Sequence, residues 1–170
     1  IDDEWGLRLA QESEVPVTTV SVFSHREADW TVRRINFDRV IPAVTFDLVA
    51  PQGDERLIRM PMLGEVNVQN AVVALVAALK LGCEFDAAVS ALEGAEQIPG
   101  RMTSVNPDPG AQPLVIVDFA HTPEGLDWTL KSVRELTRGK LVLVFGTDGD
   151  RDATKREPLA EIAAQLADVL

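Results

Sequence analysis

Cysteine and histidine are scarce in this sequence of 170 residues, which contains one cysteine and two histidines. A single cysteine excludes an internal disulfide framework and a zinc site built on cysteine. Because Cys83 follows an apolar run, we predict that its thiol is buried and unreactive. Two histidines are also too few to form a histidine-rich metal cluster.

Positive charge is in short supply as well, since 16 Lys and Arg residues accompany 27 Asp and Glu residues and the net charge is −11. Proteins that bind nucleic acids or anionic membranes need an excess of positive charge, so both classes are disfavoured. The sequence also lacks an apolar run long enough to span a membrane, a signal peptide and an initiator methionine. Both ends interrupt a pattern, so we expect a fragment of a longer cytosolic protein.

The first half of the chain is predicted to form a sheet with one solvated face, and hydrophobic residues, at 46% of the sequence, suffice for a substantial core. Its short segments alternate apolar and polar residues and are rich in Val and Thr, as is typical of strands. A turn signal at residues 51–54 predicts that the strands flanking it form a hairpin. The predicted strands span residues 17–23, 30–35, 43–49 and 56–60.

A long amphipathic helix is predicted next. Apolar residues from Val68 to Leu79 recur at the spacing of one helix face. Asn67 is the predicted N-cap of this helix and Gly82 its predicted stop. A shorter helix is predicted over residues 86–92.

The Gln-Ile-Pro-Gly segment at residues 97–100 marks a predicted domain boundary, which separates residues 1–98 from residues 99–170. Beyond it, apolar runs typical of strands covered on both faces alternate with helical patterns, so the fold class is α/β with a parallel arrangement. These elements are predicted strands at residues 114–117 and 141–145, a helix with Thr122 as its N-cap and Pro123 at its first position, and a helix that begins near Pro158.

The loops after these two strands are the expected site of chemistry, because ligands of open parallel sheets bind beyond the carboxyl ends of the strands. Both loops lead into helix N-termini, which favour anions. In the first loop, Asp118 could hold ribose hydroxyls or order magnesium-bound water, and His121 could donate to a phosphate or a carboxylate. Both could instead only satisfy loop amides. In the second loop, Arg151 suits a carboxylate but could instead pair with Asp148 or Asp152.

Two other interpretations of the second loop fail. Residues 148–152 supply the first acidic positions of a calcium loop, but Ala153 stands where that loop needs Gly and Leu159 where it needs Glu. The chain also contains no P-loop sequence.

Three further polar residues each admit two interpretations. Arg101 follows the Pro-Gly break and could reach a ligand held between domains or remain an exposed linker charge. Asn70 could hydrogen-bond to the edge of an adenine base, or it could serve only to complete the end of its helix. Lys155 lies near a predicted helix N-terminus, where a cation is unfavourable unless an anion offsets it.

Together, these segments resemble the ATP-dependent Mur ligases over nearly the whole chain. Their Gly-x-Phe-Asn-x-x-Asn signature resembles residues 64–70, Gly-Glu-Val-Asn-Val-Gln-Asn, and their Gly-Arg-Met/Phe resembles residues 100–102. Their Asp-Tyr-Ala-His-Thr-Pro resembles residues 118–123, with Phe for Tyr. Their Phe-Gly-Cys-Gly-Gly-Asp-Arg-Asp resembles residues 145–152, where Thr-Asp replaces Cys-Gly.

The last two motifs resemble the MurE type, the tripeptide synthetases that add a diamino acid to UDP-MurNAc-L-Ala-D-Glu. The resemblance implies a cytoplasmic, monomeric ligase of peptidoglycan synthesis that uses ATP and Mg²⁺ and forms an acyl phosphate. It also implies that residues 1–98 are the C-terminal part of a central ATP-binding domain. Residues 99–170 would be the first half of a Rossmann-like ligase domain.

The family's P-loop, carbamylated lysine and metal ligands correspond to positions before Ile1. The resemblance therefore assigns no catalytic residue and no metal ligand to this chain, and the chain alone is expected to be inactive. The residues with implied roles are Asn70, Arg101, Asp118 and His121 in ATP binding, and Arg151 and Lys155 in binding the amino acid.

Two rival interpretations remain open. The chain could belong to another member of the superfamily, of the cyanophycin or folylpolyglutamate synthetase type, although the Gly-Asp-Arg-Asp motif argues against both. It could also be a non-catalytic scaffold that binds nucleotide. The sequence does not choose among lysine, diaminopimelate and ornithine as the diamino acid.

Overall fold

The computed structural model has a mixed α/β architecture, as predicted, and divides into two compact units, Ile1–Gln97 and Ile98–Leu170. The assignment of residues 1–98 and 99–170 to two domains of a longer protein stays a prediction. Among the described residues, no helix has the length and apolar character needed to cross a membrane. The structure describes residues 1–23, 26–38, 43–106, 113–147 and 152–170.

A four-stranded sheet, in the order β1-β2-β3-β4, forms the centre of the first unit. Strand β1 (Val20–Ser21) pairs in parallel with β2 (Trp30–Asp38), which pairs antiparallel with β3 (Ala43–Val49). β3 and β4 (Glu55–Met60) form the predicted hairpin, whose turn contains Gly53 at φ +89°. The four predicted strands are all present, although β1 has only two residues.

A bulge interrupts the pairing of β2 with β3, where the register shifts between Arg33 and Asn36. The extra residue in β2 places Arg34 in the left-handed region, at φ +52°. Its guanidinium donates to the carboxylate of Asp47, which is 8% exposed, and also to Glu55. A left-handed conformation at a residue that is not glycine costs roughly 1–2 kcal/mol.

Three helices accompany this sheet: α1 (Glu4–Glu12), α2 (Glu65–Lys80) and α3 (Phe85–Glu93). The carboxylate of Asp3 caps α1 by accepting from the third helical N–H. The apolar face predicted for α2 is buried in the core, which confirms the periodicity argument. The core of this unit includes Val44, Phe46, Leu48, Ile58, Met60, Val68, Val72 and Leu75.

The prediction that Asn67 caps α2 is wrong, because the N-cap lies three residues earlier. Gly64 is the N-cap, and its φ of +89° lets the chain turn into the helix without a side-chain cap. Asn67 is buried in the first turn, where its Nδ2 donates to the carbonyl of Leu63 at 2.7 Å. That hydrogen bond satisfies the buried amide.

The C-terminus of α2 closes on a left-handed glycine, which confirms Gly82 as the stop. Gly82 has φ +94° and donates its N–H to Leu79, while Cys83 donates its N–H to Ala78. This pair of bonds is the Schellman motif. Cys83 therefore lies just beyond the helix end and is exposed, so the prediction of a buried thiol is wrong.

The second unit pairs β5 (Thr103–Ser104) antiparallel with β6 (Ile116–Val117). Helix α4 (Pro123–Leu136) follows, and a short 3₁₀ helix (Ala153–Lys155) precedes α5 (Arg156–Leu166). The core of this unit consists of Leu126, Leu130, Leu141, Leu159 and Ala163.

The two strands predicted for the second unit are only partly formed in the described residues. Val142 makes a parallel bridge to Val169, so the chain segments before and after α5 run in the same direction at this point. β6 pairs with β5, and no ladder joins it to residues 141–145 within the described ranges. The expected burial on both faces is not observed, since Val117 is 47% and Val144 is 93% exposed.

Candidate nucleotide site

The carboxylate of Asp118, at the end of β6, accepts hydrogen bonds from three donors that are separated in sequence. Its Oδ2 accepts from the N–H of Met102 at 2.8 Å. Its Oδ1 accepts from the N–H of Ala120 at 2.9 Å and from the hydroxyl of Thr129 at 3.0 Å. Charge-assisted bonds of this kind are stronger than neutral ones. Asp118 therefore organises the strand end, in agreement with the interpretation that it satisfies loop amides.

The Gly100–Met102 turn has an unusual backbone that this carboxylate helps to fix. Gly100 has φ +71° and Met102 has φ +49°, so two of its three residues are left-handed. For Met102 this conformation is costly by roughly 1–2 kcal/mol. Burial of its side chain, which is 8% exposed, and the bond to Asp118 offset that cost. Arg101 lies between the two left-handed residues and donates its N–H to Ile98.

Three exposed side chains gather beside Asp118, and we call them the Arg101 cluster: Arg101, Phe119 and His121. The guanidinium carbon of Arg101 lies 5.3 Å from the ring centroid of Phe119, a cation–π distance. The rings of Phe119 and His121 are 5.2 Å apart and tilted by 56°. His121 Nδ1 is 3.2 Å from the carbonyl oxygen of Phe119, so this nitrogen carries the proton of that bond. The cluster presents two nitrogen-rich groups and one aromatic ring to solvent.

Helix α4 begins directly after this cluster, with the predicted cap. Thr122 accepts from the N–H of Gly125 at 3.1 Å, and Pro123 occupies the first turn. A Cβ at Gly125 would come within 3.1 Å of the Thr122 hydroxyl and 3.6 Å of the Ala120 side chain. The N-terminal end of α4, with its partial positive charge, is thus held next to His121.

Lys155 lies at the entrance to α5, as expected, and has a carboxylate nearby. Its Nζ is 3.9 Å from Oδ2 of Asp152. Hydrogen bonds from the hydroxyl and then the N–H of Thr154 lower the pKa of Asp152 below its usual value. Arg151, the predicted partner of the amino-acid carboxylate, lies outside the described residues, as do residues 148–150.

The structure brings together three of the residues that the resemblance implicates: Arg101, Asp118 and His121. Asn70 belongs to the first unit, where it is exposed on α2. Thr129 was missed by the sequence analysis, because a threonine inside an amphipathic helix carries no local signal that its hydroxyl bonds a residue of the preceding strand end. Within the described ranges, no group of three or more His, Cys, Asp or Glu side chains could hold a metal ion.

Two family models match the chain: the Mur ligase middle domain over residues 1–78 and the Mur ligase glutamate ligase domain over residues 100–170. The chain belongs to the Mur ligase family. The family predicted from the motifs is thereby confirmed.

Relatives with known names agree with the family models. A UDP-N-acetylmuramyl-tripeptide synthetase of Leifsonia xyli is 40% identical over 174 residues, which cover 100% of this chain and 33% of that protein. A UDP-N-acetylmuramoyl-L-alanyl-D-glutamate–2,6-diaminopimelate ligase of Bacillus velezensis is 42% identical and is likewise matched over 33% of its length. The chain therefore spans about a third of the relatives that it matches.

Solved structures give the same result for the fold. A structure of a UDP-N-acetylmuramoyl-L-alanyl-D-glutamate–2,6-diaminopimelate ligase is 32% identical, with a TM-score of 0.62 over 95% of this chain and 32% of that one. The UDP-N-acetylmuramate-alanine ligase of Thermotoga maritima has a TM-score of 0.70 at 22% identity, over 89% of this chain and 32% of that one. At that identity the second match supports the fold alone.

Proposed function

We propose that this chain is part of a cytoplasmic, ATP-dependent ligase that adds a diamino acid to UDP-MurNAc-L-Ala-D-Glu in peptidoglycan synthesis. The observation that carries the proposal is the match to tripeptide synthetases and diaminopimelate ligases over 98–100% of the chain. Residues 1–98 would form the C-terminal part of the central domain, and residues 99–170 the first half of the Rossmann-like ligase domain. The whole ligase would act as a monomer.

The Arg101 cluster and Asp118 fit one side of a nucleotide site. A guanidinium and an imidazole suit phosphate oxygens, and they lie beside the positive end of α4. Two carboxylate oxygens offer about four acceptor positions in total. Three protein donors occupy Asp118, so it retains capacity for one hydroxyl of the nucleotide. Asn70, exposed on α2, would contact the adenine.

In such a ligase, ATP transfers its γ-phosphoryl group to the D-Glu carboxylate and leaves as ADP. The incoming amine then attacks the resulting acyl phosphate and displaces inorganic phosphate, which forms the amide. Phosphoryl transfer depends mainly on positioning and on neutralisation of charge. Arg101 would supply part of that charge. As the resemblance implies, the Mg²⁺ ligands would correspond to positions before Ile1, and no catalytic residue is assigned within this chain.

The incoming amino acid would be held by Arg151 and Lys155. Lys155 is separated from Asp152 by 3.9 Å, and its side chain is 41% exposed, so its charge is available to a substrate carboxylate. The guanidinium of Arg151 has the planar fork that suits a carboxylate. Lysine, diaminopimelate and ornithine each carry the α-carboxylate that these residues would bind.

A chimera tests the proposed function, because the isolated chain is expected to be inactive. The chain would replace the matching third of the Leifsonia xyli synthetase, and ADP release would be measured with each of the three diamino acids. We expect ADP release that requires both UDP-MurNAc-L-Ala-D-Glu and one of the diamino acids. A folded chimera, verified by a cooperative thermal transition, that binds ATP but never releases ADP would favour the scaffold interpretation instead.

A further inference from the structure

The hydroxyl of Thr129 makes a bond that its place in the fold does not require. Thr129 is the seventh residue of α4, and its Oγ1 donates to Oδ1 of Asp118 at 3.0 Å across 11 residues of sequence. Inside helices, a threonine hydroxyl commonly donates to the carbonyl one turn earlier. A hydroxyl has a single proton to donate, so the bond to Asp118 replaces that local bond.

Through Oδ1, Thr129 restrains the orientation of the whole carboxylate. The N–H of Ala120, only two residues away in sequence, is the other donor to Oδ1. With both donors in place, Oδ2 is directed at the N–H of Met102. Removal of the hydroxyl would leave the side chain of Asp118 with one fewer restraint on its rotation and its Oδ1 partly unsatisfied.

The carboxylate in turn sets the relative position of Arg101 and Phe119. Arg101 directly precedes Met102, which Asp118 holds in the left-handed conformation at φ +49°. Phe119 directly follows Asp118 itself. The contact of 5.3 Å between the guanidinium and the ring therefore joins two residues whose backbones are fixed by one carboxylate.

We propose that Thr129 is a positioning residue of the candidate nucleotide site, which acts through Asp118 to keep Arg101 over the ring of Phe119. The positioning of Arg101 by Thr129 rests on hydrogen bonds and a ring contact within the second unit. Its consequence for ATP rests on the proposed function. Thr129 does not touch the nucleotide in this account, and its effect on binding is indirect.

Four variants of the full chain test the inference. Thr129→Val keeps the shape of the side chain and removes the hydroxyl, whereas Thr129→Ser keeps the hydroxyl. Thr137→Val is the matched control, since the Thr137 hydroxyl donates to the carbonyl of Val133 at the other end of α4 and has no bond to Asp118. Thr129→Ala serves as a second hydroxyl-free variant if the valine does not fold.

The first readout is the NMR shift that the Phe119 ring current imposes on the Arg101 side chain in ligand-free protein. The second is the Kd for ATP, measured by titration of the same samples into the millimolar range. We expect Thr129→Val to lose most of the ring-current shift and to raise the Kd about tenfold, in the range for a hydrogen bond to a charged group. Thr129→Ser should restore both values to within about twofold, and Thr137→Val should change neither.

A ring-current shift that is unchanged in both hydroxyl-free variants would overturn the inference. Equal losses of the ring-current shift in Thr129→Val and Thr129→Ser would also overturn it, because the hydroxyl that serine retains would then not restore the position of Arg101. If the wild-type chain binds no ATP, the proposed function loses support, while the ligand-free NMR readout still decides whether Thr129 positions Arg101.

Discussion

The backbone N–H of Met102 donates to the carboxylate of Asp118 at 2.8 Å, across 16 residues of sequence. This bond joins the left-handed turn at the start of the second unit to the end of β6. Arg101 and His121 both lie beside the Phe119 ring, at 5.3 Å and 5.2 Å from its centroid. The geometry of the candidate site is therefore most sensitive to this carboxylate.

Asp118→Asn should destabilise the chain by about 1–3 kcal/mol, since an amide cannot accept hydrogen bonds at both of its terminal atoms and leaves a donor unsatisfied. Urea unfolding followed by circular dichroism measures the change. The matched control is Asp127→Asn, which removes an exposed ion pair with Lys131 on α4 and should cost about 0.5 kcal/mol or less. Equal losses for the two variants would show that Asp118 is not an organising residue.

Acid stability should depend on Asp168 in the second unit. The backbone N–H of Leu141, followed by the guanidinium of Arg134, lowers the pKa of this carboxyl below its usual value. A carboxyl whose pKa is lowered on folding stabilises the folded state above its unfolded pKa of about 3.9, and this contribution is lost as the pH falls through the folded pKa. Asp168→Asn should therefore be less stable than the wild type at pH 6, with a smaller difference near pH 3.

The same reasoning applies to Asp29 in the first unit, whose pKa is lowered by the backbone N–H and then the hydroxyl of Thr19. Asp29→Asn and Asp168→Asn should each reduce the loss of stability that the chain undergoes on acidification. Thermal unfolding between pH 2.5 and 6 measures both. If the double variant loses as much stability over this pH range as the wild type does, the role assigned to these carboxylates is contradicted.

Arg34 offers a test of backbone strain at the β2 bulge. Arg34→Ala removes the ion pair with Asp47 but keeps a Cβ at φ +52°, whereas Arg34→Gly removes both. The glycine variant should therefore be more stable than the alanine variant by about 1 kcal/mol. Urea unfolding of the two variants provides the comparison, and an alanine variant of equal or greater stability would indicate that the bulge rearranges.

Gly82 and Gly139 form a matched pair, because an added Cβ meets nothing within 4 Å at either position. Only Gly82 has a left-handed backbone, at φ +94°. Gly82→Ala should therefore cost about 1–2 kcal/mol, whereas Gly139→Ala should be neutral or slightly stabilising. If both variants lose stability equally, the φ of Gly82 is not the cause.

The sequence predicts those features that depend on neighbouring residues along the chain. The β3–β4 hairpin, the Thr122 cap and the stop at Gly82 follow from turn and capping residues, and the structure has all three. The motifs around Arg101, Asp118 and His121 are local as well, and they were sufficient to predict the family.

Features set by distant contacts were not predicted. The bond from Thr129 to Asp118 depends on how α4 packs against a strand end, which no local pattern encodes. Cys83 is exposed because it directly follows Gly82, the left-handed residue at which α2 ends, and so lies outside the buried face of the helix. The apolar run at residues 114–117 predicted burial on both faces, yet Val117 is nearly half exposed because β6 pairs only with β5 among the described strands.

The central claim is that this chain carries one side of an ATP site around Arg101, Asp118 and His121. Titration of the ¹⁵N-labelled chain with ATP, up to millimolar concentration, tests it most directly. The account predicts amide shifts in the second unit that are confined to residues 100–103 and 118–125, and much smaller shifts in an Arg101→Ala variant. Shifts that appear only elsewhere, or an Arg101→Ala variant that responds as the wild type does, would contradict it.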